Sequence, residues 1–295
     1  MDGTPFGRYC LIEMLGQGGM GEVWRAFDTH TERSVAVKLL VHDLVDSTSY
    51  QQRFRHEAKI AANLDEPHVV PIFDFGDVDG RLFVSMRLVE GQDLQTLLAD
   101  QVLEPARVVL IIEQIASALN AAHRTGLVHR DVKPSNILIA EDDFAYLIDF
   151  GIARCSGDTG GLTKPGTTIG TWDYMAPERF TSSLAAASGD IYALTCVLYE
   201  SLSGQMPFPG DSLEQIAAGH MFKPAPKVST VNPDVPAAMD EVIAKGMHKE
   251  PDQRYPTTKA LAQAARAALT APPKEAEPAG VHLKSLWPHR HKRES

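Results

Sequence analysis

The stretch from His129 to Gly151 constrains this chain more than any other. It reads His129-Arg130-Asp131-Val132-Lys133-Pro134-Ser135-Asn136, continues Ile137-Leu138-Ile139, and after a polar turn ends Leu147-Ile148-Asp149-Phe150-Gly151. The two apolar runs around Glu141-Asp142-Asp143 predict a tight β-hairpin. Asp131 and Asn136 then precede its first strand, and Asp149 follows its second. Three side chains able to hold a divalent cation or accept a proton thus meet at one end of a rigid element, with the Lys133 charge beside them. Such a grouping suits phosphoryl transfer, where positioning and charge neutralisation supply most of the catalysis.

Size and charge narrow the setting. A chain of 295 residues holds one large domain or two modest lobes sharing a cleft, and 44% hydrophobic content is enough for sizeable cores. A formal net charge of −10 argues against a nucleic-acid partner, which calls for a basic footprint. Cys10, Cys155 and Cys196 lie far apart without C-x-x-C spacing, which fits a reducing cytosol better than a disulfide framework. No signal peptide opens the chain and no apolar run approaches the length of a membrane span, so the expectation is a soluble protein.

Upstream, residues 8–41 predict three strands, with Gly16-Gln17-Gly18-Gly19-Met20-Gly21 between the first two. A lone G-x-G-x-x-G also serves dinucleotide sites, but there it joins a strand to a helix. Here Val23-Trp24-Arg25-Ala26-Phe27 follows, so the loop sits between strands. Lys38 ends the apolar run Val35-Ala36-Val37, where an unpaired charge is costly. Phe54, Ala58 and Ala61 give the segment Tyr50–Leu64 helical spacing, with Glu57 near its middle as a partner for Lys38. The bland alternative places Glu57 on a solvated face with Arg53 and Arg55. Two further strands, about 69–76 and 81–87, flank an Asp77–Gly80 turn. Pro105 to His123 reads as a long apolar helix stopped by Gly126, and a further apolar helix opens at Asp190. Ala-rich helices are expected at about 236–247 and 257–270. Pro272, Pro273 and Pro278 mark 271–295 as a linker, made basic at its end by Lys284, Arg290, Lys292 and Arg293.

The run His-Arg-Asp-x-Lys-x-x-Asn followed by Asp-Phe-Gly closely resembles the eukaryotic-type Ser/Thr protein kinases of bacteria, and the whole chain resembles the kinase domain of mycobacterial receptor kinases. The resemblance implies an α+β, bilobal protein kinase fold over 1–270. A small β-rich N-lobe (about 8–86) and a hinge (87–91) lead to a larger helical C-lobe (about 92–270), with 271–295 as a juxtamembrane-like linker. It implies ATP with Mg2+ or Mn2+ as cofactors. Gly16, Gln17, Gly18, Gly19, Met20 and Gly21 would cover the phosphates, and Val23, Ala36 and Leu138 would line the nucleotide site. Met86 takes the gatekeeper place, and adenine bonds main-chain groups of Arg87 and Val89. Arg87 departs from the acidic residue common there, but only its carbonyl is needed. Asp93 is a candidate for the ribose hydroxyls, although a helix N-cap explains it equally well.

Catalytic roles carry over in the same way. Asp131 would orient a substrate hydroxyl and accept its proton, Lys133 would neutralise the transferring group, and Asn136 and Asp149 would hold the metal. Lys38 would pair with Glu57. His129 packs under Phe150 rather than acting as a base, Asp190 holds the catalytic loop, and Arg254 pairs with Glu178 of Ala176-Pro177-Glu178. Lys133 and Thr171 imply Ser/Thr rather than tyrosine specificity. Arg130 beside Asp131 implies control by a phosphate in the segment Asp149–Glu178, with Thr163 first and Thr167 second. Protein substrates are the implied partners, with a homodimer for trans-autophosphorylation compatible and nucleic acid excluded. The implied location is cytoplasmic, at a membrane only if a span follows Ser295 in a longer parent. The alternative function is a pseudokinase scaffold, which normally shows a lost lysine, aspartate or glycine loop; all are present here.

Overall fold

The protein is described here from a computed structural model that places residues 3–19, 21–41, 48–150, 172–181 and 186–270. Six antiparallel strands form the first sheet in the order β1-β2-β3-β4-β6-β5. They are β1 (Thr4–Phe6), β2 (Tyr9–Gly18), β3 (Gly21–Asp28), β4 (Arg33–Leu40), β5 (Ile72–Val78) and β6 (Arg81–Arg87). Strand β1 lies ahead of the expected start of the lobe. Successive side chains of a strand point to opposite faces. On β4, Val35, Val37 and Leu39 accordingly join Tyr9, Leu11 and Phe83 in a small outer core. Ala36 and Leu40 face the main core instead.

Helix α1 (Thr48–Ala62) covers that inner face. Its buried residues Tyr50, Phe54, Ala58 and Ala61 recur at helical spacing and enter the main core with Val84 and Met86. Each large side chain so buried contributes roughly 1.5–3 kcal/mol.

The second lobe is built on α3 (Pro105–Arg124) and α4 (Ala187–Ser203), both buried along most of their length. Proline starts α3, and Gly126 follows it at φ 80, which favours glycine. Strands β7 (Gln92–Asp93), β8 (Ile137–Ile139) and β9 (Ala145–Leu147) form a small sheet, with the expected hairpin closed by a 3-10 turn at Glu141–Asp143. Helices α2 (Leu94–Asp100), α5 (Leu213–Phe222), α6 (Ala238–Gly246) and α7 (Thr258–Thr270) complete the lobe. The hairpin is tied to the first lobe through the main chain. Leu147 donates to His68 O at 2.7 Å, and Val70 donates to Leu147 O at 3.2 Å. Asp149, two residues past β9, is therefore held at the junction of the lobes. Among the described residues no helix is long and apolar enough to cross a membrane.

One ion pair, with a buried arginine and a partly exposed glutamate, holds the far side of this lobe. Arg254, 4% exposed, grips Glu178 with two parallel bonds of 2.8 and 2.7 Å. Its remaining N–H groups go to the carbonyls of His248, Ser188 and Lys249, so all five guanidinium donors are used. Lysine could not reproduce that fork. Removing one partner of such a pair costs about 3–5 kcal/mol. Arg254→Ala is expected to lower the unfolding free energy by about that amount in a urea titration. An unchanged midpoint would mean that the pair contributes nothing.

Candidate active site

The loop from His129 to Asn136 hangs from one buried carboxylate. Asp190, near the start of α4 and 2% exposed, accepts from His129 N at 2.8 Å, Arg130 N at 2.9 Å and His123 Nε2 at 2.7 Å. Burial alone would raise its pKa, but His123 and the main-chain donor of His129 outweigh it and hold the carboxyl below the usual range. His123, in the last turn of α3, was missed by the sequence reading. A polar side chain on the buried face of an apolar helix is the signal that could have found it.

His129 is fully buried, which pushes its pKa down although Asp190 and the Ile148 carbonyl oppose the shift. Nε2 bonds Ile148 O at 2.8 Å, and Nδ1 accepts from Asp131 N at 3.3 Å. Its ring centroid lies 5.0 Å from that of Phe150. These contacts make it a structural ring, with both nitrogens occupied by main chain. Beyond it, Arg130 has φ 68 and Asp149 φ 58. Two non-glycine residues in the left-handed region therefore flank the hairpin, at roughly 1–3 kcal/mol each.

The polar end of the hairpin assembles as expected. Lys133 Nζ lies 3.0 Å from Asp131 Oδ2. Asn136 Nδ2 donates to Asp131 O at 2.7 Å and to Asp131 Oδ2 at 3.2 Å, which leaves its amide oxygen to meet a cation.

The Lys38–Glu57 pair is where expectation and structure part. Lys38, opposite Val84 on β6, puts its ammonium 2.7 Å from Asp149 Oδ2. Glu57 instead meets Arg130 Nη1 at 3.1 Å. Burial raises the pKa of Glu57 although Arg130, His56 and Arg53 oppose the shift. The pairing is thus crossed: the strand lysine serves the aspartate after the hairpin, and the helix glutamate serves the arginine of the loop. Sequence spacing cannot specify which of two opposite charges each one meets.

The residues expected around a nucleotide are placed as follows. Gln17 pairs with Glu22 and Gly18 with Gly21 across β2 and β3. A side chain at Gly16 or Gly18 would meet nothing within 4 Å, so their backbone is open to a ligand. Gly21 is glycine for a different reason: at φ 140, a Cβ would sit 1.9 Å from Leu39 O. Ala36 stands opposite Met86 between β4 and β6, and Val23 packs against the main core. Behind Met86, an apolar cavity is lined by Leu40, Phe54, Ile72 and Phe150 and closed by Lys38 and Asp149. The Arg87 amide is committed to Pro71 O at 2.9 Å. Val89 packs against the main core and Leu138 pairs with Asp93 across β8 and β7. Asp93 caps α2, its oxygens taking the amide and the hydroxyl of Thr96 at 2.8 and 3.0 Å. Met20, Thr163, Thr167 and Thr171 lie outside the described residues.

This donor set fits a nucleotide with magnesium. Asn136 and Asp149 offer two oxygen ligands beside open backbone and a lysine, and Mg2+ characteristically takes one or two protein oxygens with substrate phosphates and water. No cluster of three or more His, Cys, Asp or Glu is needed for that, and none occurs among the described residues.

Residues 9–264 match the description of the protein kinase domain. The chain belongs to the protein kinase family. This kinase is 53% identical over 269 residues to the Ser/Thr-protein kinase PknE of Mycobacterium bovis, covering 91% of this chain and 47% of that protein. It is 51% identical over 271 residues to PknH of the same organism, covering 92% and 45%. The chain therefore spans about half the length of the curated relatives it matches. The kinase domain of Mycobacterium tuberculosis PknI superposes with a TM-score of 0.73 at 29% identity, over 91% of this chain and 98% of that one. The expected two-lobed kinase fold is confirmed, and the family uses ATP and a divalent metal.

Crossed pairing gives this kinase a measurable signature. Residues that touch show coupling of about 0.5–3 kcal/mol in a double-mutant cycle. Glu57→Gln and Arg130→Gln are expected to couple within that range in thermal unfolding of the protein without nucleotide. Additive losses would mean that the two side chains do not meet.

Proposed function

We propose that this chain is an ATP-dependent Ser/Thr protein kinase domain acting on protein hydroxyls and on its own activation segment. The supporting observation is Asp131 with Lys133 at 3.0 Å, on a loop hung from buried Asp190, together with the Lys38–Asp149 pair at the end of the same hairpin. In this reading Asp131 orients the hydroxyl and takes its proton, and the Lys133 ammonium offsets charge on the transferring group. Asn136 and Asp149 would hold the divalent cation, which supplies charge neutralisation at the nucleotide phosphates. Gly16 through Gly21 would cover those phosphates. Val23, Ala36, Met86, Leu138 and main-chain groups of Arg87 and Val89 would enclose the adenine. Asp93 would reach the ribose only by yielding its bonds to Thr96.

A kinase working this way acts in signal transduction, on protein substrates, in the cytoplasm or at the cytoplasmic face of a membrane if a longer parent carries a span. The free thiols of Cys10 and Cys196 suit that compartment. Homodimers would serve trans-autophosphorylation. A scaffold function loses support because each residue it would lack is present.

Regulation follows from Arg130. A phosphate on Thr163, or on Thr167, would compete with Glu57 for the Arg130 guanidinium and leave Glu57 free to meet Lys38. That exchange would return Asp149 to its cation.

Two measurements test the reading. Asp131→Asn should retain fold and nucleotide binding while losing roughly 10²–10⁴-fold in radiolabel transfer from ATP to a generic protein substrate. Transfer at the wild-type rate would remove Asp131 from the mechanism. Mass spectrometry after incubation with ATP and Mg2+ should place phosphate on Thr163 or Thr167, and changing both to Ala should slow transfer. A fully active double variant with no phosphate in the segment would refute the control by Arg130.

A further inference from the structure

Arg179 is accounted for by none of the roles above. It follows Glu178 in the 3-10 turn Pro177–Phe180, and its Nη1 donates to the main-chain carbonyl of Arg130 at 2.5 Å. That carbonyl belongs to the peptide joining Arg130 to Asp131. The peptide leaves Arg130 at φ 68, a conformation that persists only where surroundings enforce it. The N–H of the same residue is already taken by Asp190 at 2.9 Å. Arg130 is thus pinned at both main-chain groups, by a carboxylate from α4 and by a guanidinium from the turn that ends the activation segment. The turn itself is fixed by the two-pronged Glu178–Arg254 pair one residue earlier. Arg179 and Asp131 also line one small cavity, with Val132, Tyr174 and Gly189 between them.

A guanidinium on a carbonyl is a charge-assisted bond, about twice as strong as a neutral one. With Arg130 held on both sides, and Asp131 N and O taken by His129 Nδ1 and Asn136 Nδ2, the main chain that carries the Asp131 carboxylate has little freedom. We propose that Arg179 is a positioning residue for the transfer reaction: by clasping the Arg130 carbonyl it sets the aim of Asp131 at the substrate hydroxyl. The inference rests on the kinase reading above. It couples the end of the activation segment mechanically to the catalytic loop, because whatever displaces the turn carries the clasp away.

The test compares Arg179→Met, which keeps the aliphatic stem, with Arg179→Lys, which keeps a donor. Steady-state transfer, thermal unfolding and amide hydrogen exchange at Arg130 and Asp131 are measured on each. Misplacement of a reacting group by about 1 Å costs up to about 10²-fold. Arg179→Met is therefore expected to lose roughly 10- to 100-fold in kcat, with KM for ATP within about twofold, since ATP does not touch the clasp. Exchange at Arg130 and Asp131 should quicken, and Arg179→Lys should recover part of both effects. The proposal is overturned if kcat of Arg179→Met stays within about twofold of wild type. It is equally overturned if kcat, ATP affinity and melting temperature all collapse together with no rescue by lysine. Absence of transfer by the wild-type protein would reject the kinase reading. The positioning role then falls with it, and altered exchange in Arg179→Met would report only a structural contact.

Discussion

Asp190 is the fixed point of this structure. A carboxylate buried to 2% exposure is tolerable only when its oxygens are filled with donors, and here the donors are the main chain of the loop that carries Asp131 and the ring of His123. The cost of burial is therefore turned into a constraint on geometry. Arg130 cannot relax from its left-handed conformation without leaving part of that carboxylate unsatisfied. His129, locked between Ile148 O and Asp131 N, carries the same constraint across to the hairpin end where Asp149 sits. Helix α4 thus holds the loop through its main chain.

The second anchor works through guanidinium groups. Arg254 spends all five donors on Glu178 and three carbonyls, which fixes a short turn that has little regular structure of its own. Arg179 then reaches from that turn to the Arg130 carbonyl. Arginine suits both places because its planar fork keeps several bonds in register where lysine offers a single point charge. The loop that carries Asp131 is held from α4 on one side and from the turn after Ala176-Pro177-Glu178 on the other.

Much of this was legible in the sequence wherever a local pattern decides the outcome. Tyr50, Phe54, Ala58 and Ala61 marked the buried face of α1, and Pro105 with Gly126 bounded α3. The apolar runs around Glu141 gave β8 and β9. Helix α5 was not foreseen, because its place depends on packing: Gly219 lies so close to Phe208 that a Cβ would sit 2.7 Å from that side chain. Helix α4 starts at Ala187 rather than Asp190, in small residues without an apolar period. At the site, residue types and their order were readable, and Asp131, Lys133 and Asn136 converge as expected. Partner choice was not. Whether Lys38 meets Glu57 or Asp149 depends on the seating of α1, and no spacing in the chain encodes that. Arg179 carried no signal at all, being a single charge after Ala-Pro-Glu.

The crossed pairs have a simple energetic consequence. Lys38 with Asp149 and Glu57 with Arg130 make two ion pairs, and exchanging partners between Lys38 and Arg130 still leaves Glu57 paired. A pair of unit charges about 4 Å apart near a protein surface interacts by about 4 kcal/mol, but the difference between two arrangements with similar pairing is much smaller than either term. Each 1.4 kcal/mol then shifts the populations about tenfold. A phosphate of roughly −1.5 to −2 charge beside Arg130 would draw the guanidinium from Glu57, and a cation beside Asp149 would draw that carboxylate from Lys38. Both displacements favour the same exchange, since the two charges left over, Lys38 and Glu57, are each other's complement. On the function proposed here, moving such an equilibrium from 1:99 to 99:1 takes about 5.5 kcal/mol of differential binding, which two charged inputs can share where one would strain to supply it.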